Sequence, residues 1–193
     1  MHNQSDYIAV AQLHHDHINQ GFLATLGVPF LTLLYEAIDK DKESVLIVKR
    51  IDERVVGFIT GTSGLGPVYK QLLFHPYQLL LSLRACIISP TKIYKILELL
   101  LMSNKNKTMD NLPLHELLSI VVIPANRGED HAESLFKSLC MHFNAQGVGS
   151  FRIVVGSSLA RAHAFYVKMG STPVKKIQVH KGANSVVYVR ECP

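Results

Sequence analysis

Cysteine is scarce in this sequence of 193 residues: Cys86, Cys140 and Cys192 are odd in number and widely spaced. That pattern argues against a disulfide framework and against a CxxC metal site, and it makes a reducing cytoplasm the simplest home. Lysine and arginine total 20 against 15 acidic residues, yet they are scattered. A formal net charge of +5 therefore favours anionic ligands without marking a nucleic-acid tract. The opening residues, MHNQSDYIAVAQLHHDH, lack the basic start and apolar core of a secretory signal. No apolar run is long enough to cross a bilayer, because Pro76, Gln78, Arg84 and Pro90 interrupt the richest stretch. Internal repeats and low-complexity tracts are absent as well.

What is present is 48% hydrophobic content in segments that alternate between strand-like and helix-like patterns, which fits one α/β domain over residues 1–193. Residues 7–11 read as a short strand. Asp16 then caps a helix that leads through Gly21 and Gly27 to a second helix at 29–39, with Pro29 in its first turn. Residues 45–49 and 55–60 are β-branched and apolar, and the charged turn at 50–54 makes them a hairpin. A glycine-rich turn at 61–67 precedes a leucine-rich, helical region reaching Met102, and a polar loop follows at 103–113.

The second half is more regular. A strand at 117–122 precedes a helix on which Ala132, Leu135, Phe136, Leu139, Cys140 and Phe143 share one face, until Gly147 stops it. A strand at 151–155 leads to a helix capped by Ser157 or Ser158, with Ala162, Phe165, Tyr166 and Met169 inward and Gly170 at its end. Residues 173–180 and 185–190 pair through a turn at 181–184.

The stretch LLSIVVIPANRGEDHA, residues 117–132, runs an apolar strand into an arginine-glycine turn that opens an amphipathic helix. Backbone N–H groups at a helix start lack intrahelical partners, and with the helix dipole they attract an anion such as a pyrophosphate. Arg127 adds a fixed positive charge. Other suggestive groups carry less. The cluster His14, His15, Asp16 and His17 points in several directions and has no distant Cys/His partners, and the glycines at 61–66 lack a following Gly-Lys-Ser/Thr. No metal site is expected.

Taken in order, the strand at 117–122, Pro124, the turn from Arg127, the helix, the strand at 151–155 and the segment AHAFYVKMG at 162–170 resemble the GNAT acetyltransferase superfamily. The early helices and hairpin match too, so the resemblance covers most of the chain. It implies a mixed α/β fold, a central twisted sheet flanked by helices, with residues 66–113 as a helical insertion before the motif strand. It also implies acetyl-CoA as cofactor, lying where two parallel strands splay apart. The edge Ile120, Val121 and Val122 would hold the pantetheine arm. The turn Arg127, Gly128, Glu129, Asp130, His131 and Ala132 would wrap the pyrophosphate. Tyr166 matches the family's general acid, and the Val122 N–H would polarise the thioester oxygen.

Two positions depart from the family pattern. Asp130 stands where glycine is expected, beside Glu129, and two carboxylates near a pyrophosphate repel it by roughly a few kcal/mol at moderate effective dielectric. Leu159 replaces a common asparagine. For the general base, Glu116 is the leading candidate, with His115, His163 or a water chain as alternatives. The helical insertion is read as a cover on the sheet, a lid on the acceptor pocket, or an apolar surface for dimerisation or membrane contact. The expectation is therefore a cytoplasmic N-acetyltransferase acting on a primary amine of a small molecule, amino sugar or protein. It binds no nucleic acid, has no transmembrane span and forms a homodimer in one reading. The alternative is a catalytically silent GNAT-like binding module.

Overall fold

The computed structural model describes residues 2–18, 23–83, 111–180 and 183–192. The chain begins with helix α1 (Gln4–His17), not with the expected strand at 7–11. Tyr7, Val10, Ala11 and His14 are its buried hydrophobic and aromatic positions, and that spacing follows a helical turn. A capping box starts it: Asn3 Oδ1 accepts the Asp6 N–H at 3.1 Å and Asp6 Oδ2 accepts the Asn3 N–H at 2.9 Å. Asp16 is consequently not a cap but part of the last turn, where the Gln12 amide donates to it at 2.9 Å. Helix α2 (Gly27–Lys40) follows, and Gly21 lies outside the described residues. The two helices thus precede the first strand.

Strands β1 (Ser44–Ile51) and β2 (Arg54–Thr62) form the expected hairpin, and its two-residue turn puts Asp52 and Glu53 at φ 46° and 65°. β2 extends into the stretch read as a turn at 61–67. Helix α3 (Leu65–Leu73) starts within that stretch, and α4 (Pro76–Leu83) comes next. The rest of the expected helical insertion, including Cys86 and Pro90, falls on residues 84–110, outside those described. Strand β3 (Glu116–Val122), helix α5 (His131–Ala145), strand β4 (Ser150–Gly156) and helix α6 (Ala160–Lys168) come next, and β5 (Thr172–His180) with β6 (Ala183–Glu191) ends the described chain. Leu159, not Ser157 or Ser158, occupies the cap position of α6, with no side-chain cap.

The six strands lie in the order β1-β2-β3-β4-β6-β5, antiparallel except for β3 beside β4. One face carries α1 to α4 over a core that includes Phe30, Tyr35, Phe58, Val68 and Tyr69. The other carries α5 and α6 over Phe136, Phe143, Phe151 and Tyr166. Gly61 permits the second layer: a Cβ there would lie 2.6 Å from Phe143 Cζ and 2.8 Å from Leu139 Cδ1. Cys140 is only partly buried, beside Cys192, whose thiol burial pushes up to about 11. Among the described residues no helix is long and apolar enough to cross a membrane, and no group of His, Cys, Asp or Glu is arranged to hold a metal ion.

Candidate active site

β3 and β4 pair in parallel only at Glu116 with Arg152 and Leu117 with Ile153. Beyond that point they part. β3 also slips against β2 there, with Thr60 opposite Ser119 but Gly61 opposite Leu117. Leu118 is thus an extra residue, a bulge that bends β3 as it leaves its neighbour. Among the described residues the β4-facing backbone of Ile120–Val122 has no strand partner, while β2 stays paired on its other side.

Two adjoining cavities fill the gap. The outer one, about 580 Å³, is lined by Ile120, Val121, Val122, Arg127 and Ala132 on one side and by Ser158 to Ala162, Phe165 and Tyr166 on the other. The inner one, about 320 Å³, lies between Leu117–Ile120 and Ile153–Gly156. His17, Ile18, Ile120, Leu159, Ala162 and Tyr166 line both.

The outer cavity ends at the turn before α5. A 3-10 turn, Pro124–Asn126, brings Arg127 back so that its Nε donates to the Val122 carbonyl at 3.1 Å. Gly128 and Asp130 both take left-handed backbone, at φ 89° and 56°, and no side chain caps α5. Its first N–H groups therefore keep their capacity for an anion. Glu129 and His131 bond each other at 3.0 Å; Gly128, Glu129 and Asp130 lie in the turn and His131 begins α5, none of them on the cavity wall.

Tyr166 is buried at the junction of the two cavities, packed against Phe136, Phe165 and Tyr188, and burial raises its pKa. Among the described residues its hydroxyl has no protein hydrogen-bond partner. The proposed bases are differently placed. Glu116 sits at the closed end of the gap, bonded to Arg152 Nε at 2.9 Å, and belongs to neither cavity wall. Burial raises its pKa and outweighs the opposing effect of Arg152. His163 has both ring nitrogens engaged: Tyr188 donates to Nδ1 at 2.8 Å and Nε2 donates to the Gly156 carbonyl at 3.2 Å. His115 packs edge-on against Phe143.

Sequence reasoning missed His17, Ile18, Ser119 and Arg161, all of which line a cavity. Two of them carry a signal in the sequence: His17 belongs to the cluster weighed for metal binding, and Ser119 is the one polar residue inside LLSIVV.

No family model matches the sequence, and no curated protein matches it. Solved structures do match. An N-acetyltransferase from Staphylococcus aureus Mu50 aligns over 100% of this chain and 96% of its own, with TM-score 0.63 and 12% identity. An acetyltransferase of the GNAT family from Bacillus cereus covers 98% and 92%, with TM-score 0.58 and 11% identity. The ribosomal-protein-S18-alanine N-acetyltransferase of Escherichia coli covers 99% and 90%, with the same TM-score and 11% identity. At such identities the likeness is one of architecture, and the chain has the fold of the GNAT acetyltransferases.

Proposed function

We propose that this chain is an N-acetyltransferase that moves an acetyl group from acetyl-CoA to a primary amine. The observation that carries the reading is the gap between β3 and β4, with an uncapped helix start and Arg127 at one end and Tyr166 at its waist. Acetyl-CoA supplies the activated thioester. The free edge Ile120–Val122 holds its arm by backbone hydrogen bonds, and Arg127 with the turn Gly128–Ala132 receives the pyrophosphate. Tyr166 Oη holds the proton that the departing sulfur takes. The Val122 N–H is assigned to the thioester oxygen. Glu116 is assigned an anchoring role, because its carboxylate is spent on Arg152 outside the cavity walls. Calorimetry with acetyl-CoA, followed by assay of CoA release with amines, tests the proposal. Lack of heat at millimolar cofactor rejects it.

One observation favours a second reading, a silent binding module: Asp130 puts a carboxylate and a Cβ at a left-handed turn position. That reading predicts no CoA binding. Self-association is proposed on the exposed apolar residues Phe74, Tyr77 and Leu80 at α4 and just before it, and sedimentation velocity tests it. Action in a reducing cytoplasm is proposed on the free thiols Cys140 and Cys192.

A further inference from the structure

Resting on the acyl-transfer reading above, we propose that the acceptor is a monoamine on an apolar body, taken into the inner cavity uncharged, with one amine N–H donated to Ser119 Oγ.

Among the described residues the cavity walls offer no anion to a cation. β3 contributes Leu117, Leu118, Ser119 and Ile120, and β4 contributes Ile153 to Gly156. Among the described residues the titratable groups on this wall are His17 from α1 and Tyr166 from α6, and none is a carboxylate. Among the described residues the charges around the gap are also unhelpful to an ammonium: Arg127 and Arg161 line the adjoining cavity, and the Glu116 carboxylate is held by Arg152. An ammonium entering here would lose its water and gain no anion, so the neutral amine is the form that binds. A polyamine would bring a second ammonium, and none of the described side chains on these walls is an anion to pair with it; Leu117, Leu118, Ile120, Ile153 and Val155 suit an apolar body instead. The amine arrives with its lone pair free, and the proton its nitrogen sheds after attack passes to the Tyr166 oxygen once that oxygen has protonated the departing sulfur, so no further base is needed, in keeping with the engagement of both nitrogens of His163.

Ser119 supplies the complementary polar contact, and a buried chain sets its direction. His14 Nδ1 lies 2.5 Å from Tyr35 Oη, and both residues are buried. Burial lowers the His14 pKa to about 4, so the imidazole is neutral at pH 7. A phenol is the better donor and an imidazole nitrogen the better acceptor, so Tyr35 spends its one proton on His14. His14 Nε2 is buried without a partner in either tautomer and does not bias this choice. Tyr35 Oη must then accept from Ser119 at 3.3 Å, while Thr60 Oγ1 donates to Ser119 Oγ at 3.3 Å. A hydroxyl has one proton and two lone pairs, so Ser119 retains a single lone pair. It offers an acceptor and no donor. An amine N–H satisfies it and leaves the nitrogen lone pair free to attack.

The test uses the purified chain with acetyl-CoA and four acceptors: 2-phenylethylamine, its less basic β,β-difluoro analogue, spermidine and glucosamine. Calorimetric binding of CoA is measured first, and its absence removes the acyl-transfer reading together with this inference. With CoA bound, 2-phenylethylamine is expected to show a kcat/KM at least about tenfold above spermidine and glucosamine. Preference for either of those, or no turnover of any of the four, overturns the inference alone. For the two phenylethylamines kcat/KM should rise tenfold per pH unit and level off at each amine's own pKa. A plateau at one common pH would mean that an enzyme group titrates, and would overturn uncharged uptake. Ser119→Ala should raise KM for 2-phenylethylamine several-fold while leaving KM for acetyl-CoA unchanged. Equal change in both constants would assign Ser119 to the fold and remove it from the proposal.

Discussion

Glu116 and Arg152 stand opposite each other in the first of the two paired rungs of β3 and β4 and are joined by an Nε to Oε2 bond of 2.9 Å. The pair closes the narrow end of the gap, and Arg152 Nη1 also donates to the Pro113 carbonyl at 3.0 Å, tying the approach to β3 onto β4.

Glu116→Gln should therefore act on stability and not on transfer. Removing one partner leaves the buried Arg152 cation uncompensated, and because the pair is partly solvent-accessible the loss should be about 1–3 kcal/mol. Thermal unfolding checks this. A strong fall in kcat at an unchanged melting temperature would return Glu116 to the role of base.

Tyr166→Phe tests the acid. The phenyl ring preserves the contacts with Phe136 and Phe165, and only the proton donor is lost. Turnover should fall by about 10²–10⁴-fold with the CoA dissociation constant nearly unchanged. Wild-type turnover would make Tyr166 a core residue.

Asp130 is held at φ 56°, a conformation glycine adopts freely. Asp130→Gly should stabilise the fold by about 1 kcal/mol and tighten CoA binding by a comparable amount, since a carboxylate leaves the anion site at the same time. Asp130→Ala separates the two effects, because it removes the charge and keeps the Cβ. If calorimetry gives the same dissociation constant for all three proteins, the turn has accommodated the aspartate.

Asp6 sets an acid limit on α1. Burial raises its pKa, but the bond from the Asn3 N–H and the Arg50 guanidinium at 2.6 Å together outweigh it, and the net shift is downward. A carboxyl depressed in the folded state contributes stability above its unfolded value of 3.8 and loses it as pH falls through the folded value. Asp6→Asn keeps an acceptor for the Asn3 N–H and removes only the charge, so it should cost about 0.5–1 kcal/mol at pH 7, a modest loss because Arg50 is partly exposed. The gap in melting temperature between the two proteins should narrow below pH 3.8, and a gap independent of pH would show that the charge contributes nothing.

Much of the architecture can be read along the chain. The hairpin of β1 and β2, the strand, turn and helix from Glu116 to Ala145, the strand β4 and the final β5–β6 hairpin all follow from local periodicity and turn residues. Such patterns are set by neighbours a few residues apart. YIAVA alternates like a strand over five residues, so the local pattern alone predicts a strand where α1 stands. Its helical nature emerges only when His14 is counted with Tyr7, Val10 and Ala11, and when Asn3 and Asp6 are seen to cap each other. The candidate site is legible in part, since the β3 edge, Arg127 and Tyr166, which line the gap, lie in the ordered segments on which the resemblance rests.

Tertiary structure decided the rest. Glu116 at a strand start and His163 one turn before Tyr166 are plausible bases in sequence, but Arg152, 36 positions away, and Tyr188, 25 positions away, engage them. The state of Ser119 depends on His14, Tyr35 and Thr60, which reach it from two helices and another strand. Periodicity determines which face of an element is buried. Which polar groups meet across those faces, and whether a carboxylate is spent or free, depends on packing between distant segments, and only the folded chain fixes that.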